Sequence, residues 1–258
     1  MASPVTSKGL GPEPSARASA GQSRHPWERF AECDPYLYIL TPMKHTDPRV
    51  FWESGEQLVG AELLPVIRAE GVRLSLAMEL GCGIGRLMFP LSRTFAHVVG
   101  VDIASGMVQR AAALANDKGI NNVSFATISG PEDLLHQAGE YAGNCDFLYS
   151  LLVFQHIADV SIIEGYLHVT RTLLHPRGLA YLQFDTRDAD ALYRIKTHLP
   201  DFLLPRFLRR GIRRIRRSPQ EIEAWIRRAG LEIVGQLTPE SEYHRYILRL
   251  LQPKRTVS

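Results

Sequence analysis

The chain has 258 residues, of which 45% are hydrophobic and 22% charged, and its formal net charge is +3. This length allows one substantial folded core with a small accessory element. No apolar run approaches the roughly 20 residues of a membrane-spanning helix, and so small a net charge gives no reason to expect a nucleic-acid partner. The three cysteines (Cys33, Cys82 and Cys145) are far apart and lack zinc-ligand spacing. They predict a reduced, cytoplasmic protein without a metal.

The N-terminal part of the chain divides into two segments. Residues 1–24 predict a disordered tail, because small polar residues, glycine and proline bury too little apolar surface to offset the entropy of ordering. This tail also lacks the apolar centre of a signal peptide. Residues 25–74 are rich in aromatic residues and predict a helical cover over the mouth of the main domain. Its last helix is indicated by the spacing of Leu58, Leu63, Leu64 and Ile67.

Residues 75–258 are predicted to form one α/β domain. Short apolar runs alternate with stretches of helical periodicity, a pattern that predicts parallel strands joined by right-handed crossovers. The last two runs are close enough in sequence to pair as an antiparallel hairpin, so we expect a doubly wound sheet of seven strands. The predicted strands are 76–80, 97–101, 123–128, 146–150, 179–184, 231–237 and 243–251, and the predicted helices include 85–93, 105–118, 159–174 and one that Ser218 caps and Gly230 ends.

The most informative segment is the run MELGCGIGR at residues 78–86, where a buried strand enters a glycine-rich turn that opens a helix. Glycines allow close approach of the backbone to a ligand and leave N–H groups directed at it. The next strand ends at Asp102, and an acid at that place can accept both hydroxyls of a ribose. Strand-to-helix turns also use glycine for structural reasons alone, but the loop and the acid together predict a nucleoside-bearing cofactor.

The spacing within the loop separates two cofactors. The dinucleotide fingerprint is G-x-G-x-x-G, with a pyrophosphate at the helix N-terminus. This loop is G-x-G-x-G and is preceded by Glu79. A carboxylate there would repel a pyrophosphate but suits an ammonium or sulfonium group, which favours S-adenosylmethionine over NAD.

These segments, with Ser105-Gly106-Met107 and the runs FLYS at 147–150 and FQHI at 154–157, resemble the successive motifs of class I S-adenosylmethionine-dependent methyltransferases over residues 75–251. The resemblance implies a Rossmann-like sheet, mostly parallel with an antiparallel last strand, and S-adenosylhomocysteine as a product. It also implies that the glycine loop lines the methionine portion, that the acid holds the ribose and that Ile103 and Met107 flank the adenine. The predicted cofactor-binding residues are Glu79, Gly81, Cys82, Gly83, Asp102, Ile103, Met107, Gly130 and Ser150.

One position departs from the family pattern. In the family an acid after the third strand often meets the adenine amine. Here that place reads SGPED at residues 129–133, so the usual acid is displaced.

Two side chains are candidates for acid–base chemistry. His156 follows the fourth strand and Asp185 ends the fifth, so both are expected at the carboxyl edge of the sheet. Histidine titrates near neutral pH and suits a general base, and a carboxylate can orient an imidazole. Some small-molecule methyltransferases use a histidine and an aspartate from these two loops, and the sequence is similar there. The alternatives are that His156 caps a helix or lines the pocket and that Asp185 is an ordinary turn residue.

The insertion 186–217 is strongly basic at its end. Residues 202–217 contain seven arginines and no acid, and their apolar residues keep a helical stripe, so they predict an amphipathic basic helix broken at Gly211. The segment is interpreted as a lid with a solvated cationic face. Contact with an acidic acceptor and peripheral contact with a membrane surface remain the alternatives.

The chain is therefore predicted to be an enzyme that transfers a methyl group from S-adenosylmethionine to an O or N atom of a small-molecule acceptor, such as a secondary metabolite. Two alternatives stay open. One is methylation of RNA or another macromolecule gripped by the basic helix, and the other is a non-catalytic module that binds the cofactor. The residues do not identify the acceptor or the oligomeric state.

Overall fold

The computed structural model describes residues 26–33, 36, 47–188, 193, 199, 203, 214–237 and 243–251. The predicted tail, residues 1–24, lies outside these ranges. Among the described residues, seven strands form one sheet in the order β3-β2-β1-β4-β5-β7-β6. The strands are β1 (Leu76–Leu80), β2 (His97–Asp102), β3 (Val123–Thr127), β4 (Cys145–Ser150), β5 (Leu174–Asp185), β6 (Leu231–Leu237) and β7 (Tyr243–Leu250).

Helices flank the sheet and end within one or two residues of the predicted positions. The predicted helix 85–93 is shorter than expected, because Gly85 has φ +90° and holds the chain in a turn before the helix starts. The helices are α1 (Pro26–Cys33), α2 (Pro48–Leu58), α3 (Leu64–Ala69), α4 (Met88–Ser92), α5 (Ser105–Asp117), α6 (Pro131–Gln137), α7 (Val160–Leu173) and α8 (Pro219–Arg228), with a π-helical turn at Val59–Leu63 and 3₁₀ turns at Gly139–Tyr141 and Phe154–His156.

The strand pairing confirms the predicted Rossmann-like topology. Strand β1 pairs in parallel with β2 and β4, β2 with β3, and β4 with β5. The last strand, β7, is antiparallel to both β5 and β6 and lies between them. Because the order runs outward from β1 in both directions, the loops after β1 and β4 diverge and leave a crevice at the carboxyl edge.

Two apolar layers cover the sheet. On one face α7 and α8 bury residues such as Ile163, Leu167 and Ile226, and on the other the π-helical turn and α4 bury residues such as Leu63 and Met88. Helix α8 begins with the capping box that its sequence predicts, because Ser218 and Glu221 bond reciprocally. The layers fix the sheet, so the loops at its carboxyl edge stand on a rigid base.

The N-terminal and basic segments are described in part. Helix α1 packs against α5, at the carboxyl edge of the sheet. In the basic insertion only residues 186–188, 193, 199, 203 and 214–217 are described, and the last four have no regular secondary structure. The predicted amphipathic helix does not reach those four, and most of its length lies outside the described residues. No helix in the described ranges combines the length and the apolar content that a membrane span requires.

Candidate cofactor and acceptor site

A cavity of about 1760 Å³ opens at the carboxyl edge of the sheet. We distinguish two parts of the chain around it. The glycine-loop half comprises residues 79–86 and 102–107, at and after the ends of β1 and β2, and its cavity-lining residues are Glu79, Leu80, Gly81, Cys82, Arg86, Asp102, Ile103 and Met107. The histidine half comprises residues 152–158, after β4, which line the cavity, and residues 214–217, which precede α8 and contribute Arg214 to the lining. Helix α1 contributes Trp27 and Glu28 to the same cavity.

The glycine loop is held by its backbone. The amides of Gly81 and Cys82 both donate to the Val101 carbonyl, at 2.8 and 3.0 Å. Gly81 has φ +74°, and a Cβ atom there would lie 2.2 Å from Cγ2 of Val153. Glycine is therefore required at position 81 both by the left-handed backbone and by the close approach of the loop after β4.

Asp102 lies at the end of β2 and joins the loop to the next helix. Its Oδ2 accepts from the Gly83 amide at 2.8 Å and its Oδ1 from the Ala104 amide at 2.9 Å. Burial raises the pKa of Asp102, although these backbone hydrogen bonds act in the opposite direction. Each carboxylate oxygen has a further lone pair, so the fixed carboxylate can still accept hydroxyl groups from a ligand in the cavity.

Glu79 is 4% exposed and lines the same wall. Its Oε2 accepts from the Tyr149 hydroxyl at 3.1 Å. Burial raises the pKa of Glu79 to about 8, against the lowering effects of that hydrogen bond and of the nearby Arg86 charge. A buried carboxyl of this kind gains most from a cationic ligand group.

Arg86 is a lining residue that the sequence analysis did not single out. Its side chain is nearly fully buried, its Nη1 donates to the Ser54 hydroxyl at 3.3 Å, and its Nε has no hydrogen-bond partner among the described residues. The arginine directly after the third glycine was a visible signal, but the sequence does not reveal that its side chain turns inward.

The residues predicted to lie near the adenine are in the cavity wall. Ile103, Met107 and Gly130 all line it. Asp133 also lines it, but its Oδ2 accepts from the Ser129 amide and hydroxyl at 2.8 and 3.0 Å. The acid that follows β3 is thus committed to fixing its own loop.

Three of the predicted cofactor residues have clear local contacts. Cys82 lines the cavity with a buried thiol, whose pKa is raised by burial. Gly83 supplies its amide to Asp102 and is not part of the cavity wall, and the Ser150 hydroxyl donates to the Leu80 carbonyl at 2.9 Å. Direct contact of Gly83 and Ser150 with a cofactor stays a prediction.

His156 lies in the 3₁₀ turn Phe154–His156 and lines the cavity, as the sequence suggests. Its Nε2 is 3.3 Å from Nε2 of Gln155. The ring of Trp27 meets the imidazole edge-on, with the ring centroids 5.2 Å apart. Helix α1, which contains Trp27, also places Glu28 at the start of α5. The Glu28 carboxylate accepts there from the Ser105 and Gly106 amides at 2.6 and 3.2 Å. Helix α1 therefore touches both halves of the cavity wall.

Asp185, at the end of β5, forms a salt bridge with Arg187, two residues further along the chain. Its carboxylate is buried and accepts two hydrogen bonds from the Arg187 guanidinium, at 2.7 and 3.0 Å. Asp185 is not part of the cavity wall. Its suggested role in orienting His156 stays a prediction.

Residues 214–217 form what we call the strap, which fastens the loop after β4. The Ile215 amide donates to the Gln155 carbonyl at 2.6 Å. Arg217 donates from Nη2 to the carbonyls of Ile157 and Ala158, at 2.7 and 3.2 Å. Arg214 lines the cavity beside them. The strap thus gives the loop after β4 contacts from about 60 residues further along the chain.

The same loop contains a strained residue. Leu152 has φ +63°, in the left-handed region that non-glycine residues rarely occupy. Leu152 lines the cavity, and along the chain it lies between Gly81 and His156, which line the cavity too. Strain of about 1–2 kcal/mol at such a position persists only where surrounding contacts impose it.

The chain is similar to known methyltransferases. A family model described as a methyltransferase domain matches residues 78–180. A ubiquinone biosynthesis O-methyltransferase of Brucella anthropi is 28% identical over 170 residues, which are 65% of this chain and 63% of the relative. A similar enzyme of Azorhizobium caulinodans is 30% identical over 166 residues, which are 64% and 60% of the two chains. The chain thus spans less than two thirds of the length of these relatives.

Solved structures share the fold. Magnesium protoporphyrin IX methyltransferase from Synechocystis, with bound S-adenosylhomocysteine, has a TM-score of 0.59 and 20% identity, over 86% of this chain and 98% of that one. This similarity supports the assignment of the fold.

Proposed function

We propose that the chain is a class I S-adenosylmethionine-dependent methyltransferase and that it transfers a methyl group from S-adenosylmethionine to an oxygen atom of a small-molecule acceptor. The observation that carries the proposal is the fixed Asp102 carboxylate beside the glycine loop. An acid and a glycine turn at adjoining strand ends form a recognition element for an adenosine ribose.

The residues present fit this cofactor. Asp102 would accept the ribose hydroxyls, and Ile103 and Met107 would flank the adenine with apolar surface. Glu79 would face the ammonium group of the methionine portion, for which a buried carboxyl is suited. When bound, the cofactor supplies an electrophilic methyl group on a sulfonium, and the protein has no covalent chemistry to perform.

The histidine half supports the acceptor side of the proposal. His156 would take the proton of the acceptor hydroxyl, a step for which the imidazole must lie within hydrogen-bond reach of that oxygen. Gln155 and Trp27 both contact the ring, which restricts its position. Arg214 adds a positive charge to this wall, which suits an acceptor with an acidic group.

The relatives are O-methyltransferases by name, which favours oxygen over nitrogen as the methylated atom.

The first test is titration calorimetry of the full chain with S-adenosylhomocysteine. We expect micromolar affinity, and a loss of about tenfold to hundredfold in the Asp102→Asn variant, which keeps the shape but not the charge of the side chain. Asp117→Asn, at an exposed position of α5, is the matched control and should bind as the wild type does. Well-folded protein that binds no S-adenosylhomocysteine would contradict the proposal.

The second test identifies the acceptor class. Methyl-labelled S-adenosylmethionine is incubated with protein and fractionated cell extract, and label is expected in the small-molecule fraction. Label in RNA or protein would support the macromolecular alternative. Binding of the cofactor with no label in any fraction would favour a non-catalytic module.

A further inference from the structure

The side chain of Gln155 is buried in the histidine half of the cavity with its oxygen unused. It is 2% exposed and lines the wall. Its Nε2 lies 3.3 Å from Nε2 of His156, while its Oε1 has no hydrogen-bond partner among the described residues. Buried amide oxygens are normally bonded, so an unused oxygen beside the candidate base requires an explanation.

The contact between the two nitrogens can have only one direction. An amide nitrogen carries two hydrogens and donates, so Nε2 of His156 must accept. In a neutral imidazole one nitrogen carries the proton and the other the lone pair. An accepting Nε2 therefore places the ring proton on Nδ1 and leaves Nε2 as the nitrogen that can take a further proton.

Two contacts fix the backbone from which the Gln155 side chain starts. Its carbonyl accepts from the Ile215 amide of the strap at 2.6 Å. The preceding residue, Phe154, is buried and stacks on Phe184, with the ring centroids 4.9 Å apart. Because the backbone is held, the main freedom left near the imidazole is rotation of the terminal amide, whose torsion is broad and roughly two-fold.

Four charged side chains belong to the elements around His156. Glu28 on α1 and Asp159, the N-cap of α7, accept from backbone amides. In the strap Arg217 donates to backbone carbonyls and Arg214 donates to a tyrosine hydroxyl. None of these contacts involves the imidazole, whereas the Gln155 amide bonds directly to it.

We infer that Gln155 is a positioning residue, which holds neutral His156 in the tautomer that has its lone pair at Nε2. The inference rests on the proposed function. An acceptor hydroxyl donates to the same lone pair, so it replaces the amide when it binds. Nε2 then takes the hydroxyl proton as the acceptor oxygen bonds to the methyl group, and the electron pair of the broken carbon–sulfur bond stays on sulfur. The positive charge thereby passes from the sulfonium to the imidazolium.

The unused oxygen of Gln155 serves the protonated ring. Once Nε2 carries a proton it is a donor and can no longer accept from an amide nitrogen. A half-turn of the amide exchanges its nitrogen for Oε1, which then accepts from Nε2–H. Glutamine suits this position because it combines a donor and an acceptor on one rotating group.

The test reads the tautomer directly and needs no acceptor. Long-range ¹H–¹⁵N correlation NMR of the full, untagged chain, labelled with ¹⁵N in its nine histidines, distinguishes a protonated Nδ1 from a protonated Nε2. The signals that are lost in His156→Asn identify the ring. We expect the Nδ1–H form of neutral His156 to exceed the Nε2–H form roughly tenfold in the wild type, which corresponds to one hydrogen bond.

Two variants change what position 155 offers to the ring. Gln155→Met has a similar length without a donor or an acceptor, so the preference for Nδ1–H should disappear. Gln155→Glu offers oxygens only and should reverse the preference. Because its carboxylate stabilises the imidazolium, the rising limb of kcat against pH, measured by label transfer, should move upward by about one pH unit. Gln155→Glu alone suffices if Gln155→Met does not fold.

Gln57→Met, at an exposed position of α2, is the matched control and should keep the wild-type tautomer. Three results would overturn the inference. The first is a wild-type His156 whose neutral ring carries its proton on Nε2. The second is a wild-type tautomer that persists in both variants at position 155, since another group would then set it. The third is a fall in turnover of Gln155→Glu with an unmoved pH profile, which a merely structural residue would give.

Failure of the proposed function gives a different pattern. The tautomers would then change in the two variants as expected, but S-adenosylhomocysteine would not bind and no fraction of the extract would take up label. In that case the tautomer assignment stands, while the methyl transfer and the role of His156 as its base are withdrawn.

Discussion

In the glycine-loop half of the cavity, backbone hydrogen bonds fix the loop after β1. In the histidine half, segments distant in sequence fix the loop after β4. Gly81, Cys82 and Gly83 are fixed by hydrogen bonds to the end of β2. The loop around His156 is fixed instead by the strap and by helix α1. The first half needs glycine and one acid at set positions, while the second depends on how separate parts of the chain meet.

This difference determines where substitutions should act. A side chain added to the glycine-loop half should damage the fold of the loop and cofactor binding together. A side chain removed from the histidine half should reduce turnover and leave cofactor binding almost unchanged. Substitutions at Gly81, His156 and Arg217 test that separation.

The largest effect is expected for Gly81→Ala. The new methyl group would collide with Val153 and occupy a backbone with φ +74°, so we expect a loss of about 3 kcal/mol in the free energy of unfolding and no measurable S-adenosylhomocysteine binding. Chemical denaturation and calorimetry are the measurements. Gly119→Ala is the control, because its φ is +65° but nothing lies within 4 Å of the added atom. It should lose only about 1 kcal/mol and bind normally; equal losses would show that the contact with Val153 is unimportant.

His156→Ala should come next. We expect kcat to fall about hundredfold, in the range of a lost general base, with S-adenosylhomocysteine affinity within about threefold of the wild type. The measurements are steady-state turnover between pH 6 and 9 and calorimetry. His136→Ala changes an exposed histidine on α6 and should behave as the wild type. Turnover that is unchanged at every pH would remove His156 from the proposed chemistry.

Arg217→Gln should have the smallest effect of the three. It removes the guanidinium that donates to the carbonyls of Ile157 and Ala158, so His156 would be less well positioned and kcat should fall about tenfold. Cofactor affinity should not change. Arg227→Gln, which removes an exposed pair with Glu223 on α8, is the comparison variant. If cofactor affinity falls as much as kcat, the strap supports the whole cavity and the two halves are not separable.

The sequence was sufficient for the fold and for most of the glycine-loop half. Strands β1 and β6 begin and end at the predicted residues, because their apolar runs are bounded by glycine, charge or proline-containing turns. The capping box of α8 was equally readable, since all its atoms lie within four residues. That Glu79 and Asp102 both line the cavity could be predicted, because strand ends of a parallel sheet share one edge.

The rest depends on contacts that no local pattern contains. Trp27 meets His156 across more than 120 residues of chain, and Ile215 meets Gln155 across 60. The inward course of the Arg86 side chain follows from the packing of α2 on the glycine loop, and a nine-residue motif cannot show that. The place of Asp185 at a strand end predicts a role beside His156, but the Asp185 carboxylate forms a salt bridge with Arg187.

The position of β7 between β5 and β6 has a consequence for the order in which the protein can assemble as it leaves the ribosome. In the described part of the sheet β6 pairs only with β7, so β6 is synthesised before the strand that will attach it exists. Until residues 243–250 emerge, one edge of β5 stays open and the apolar side chains of β6 have no sheet to join. Strand β7 therefore completes this edge of the sheet, and the nascent chain is most prone to aggregation in the interval between the synthesis of β6 and that of β7.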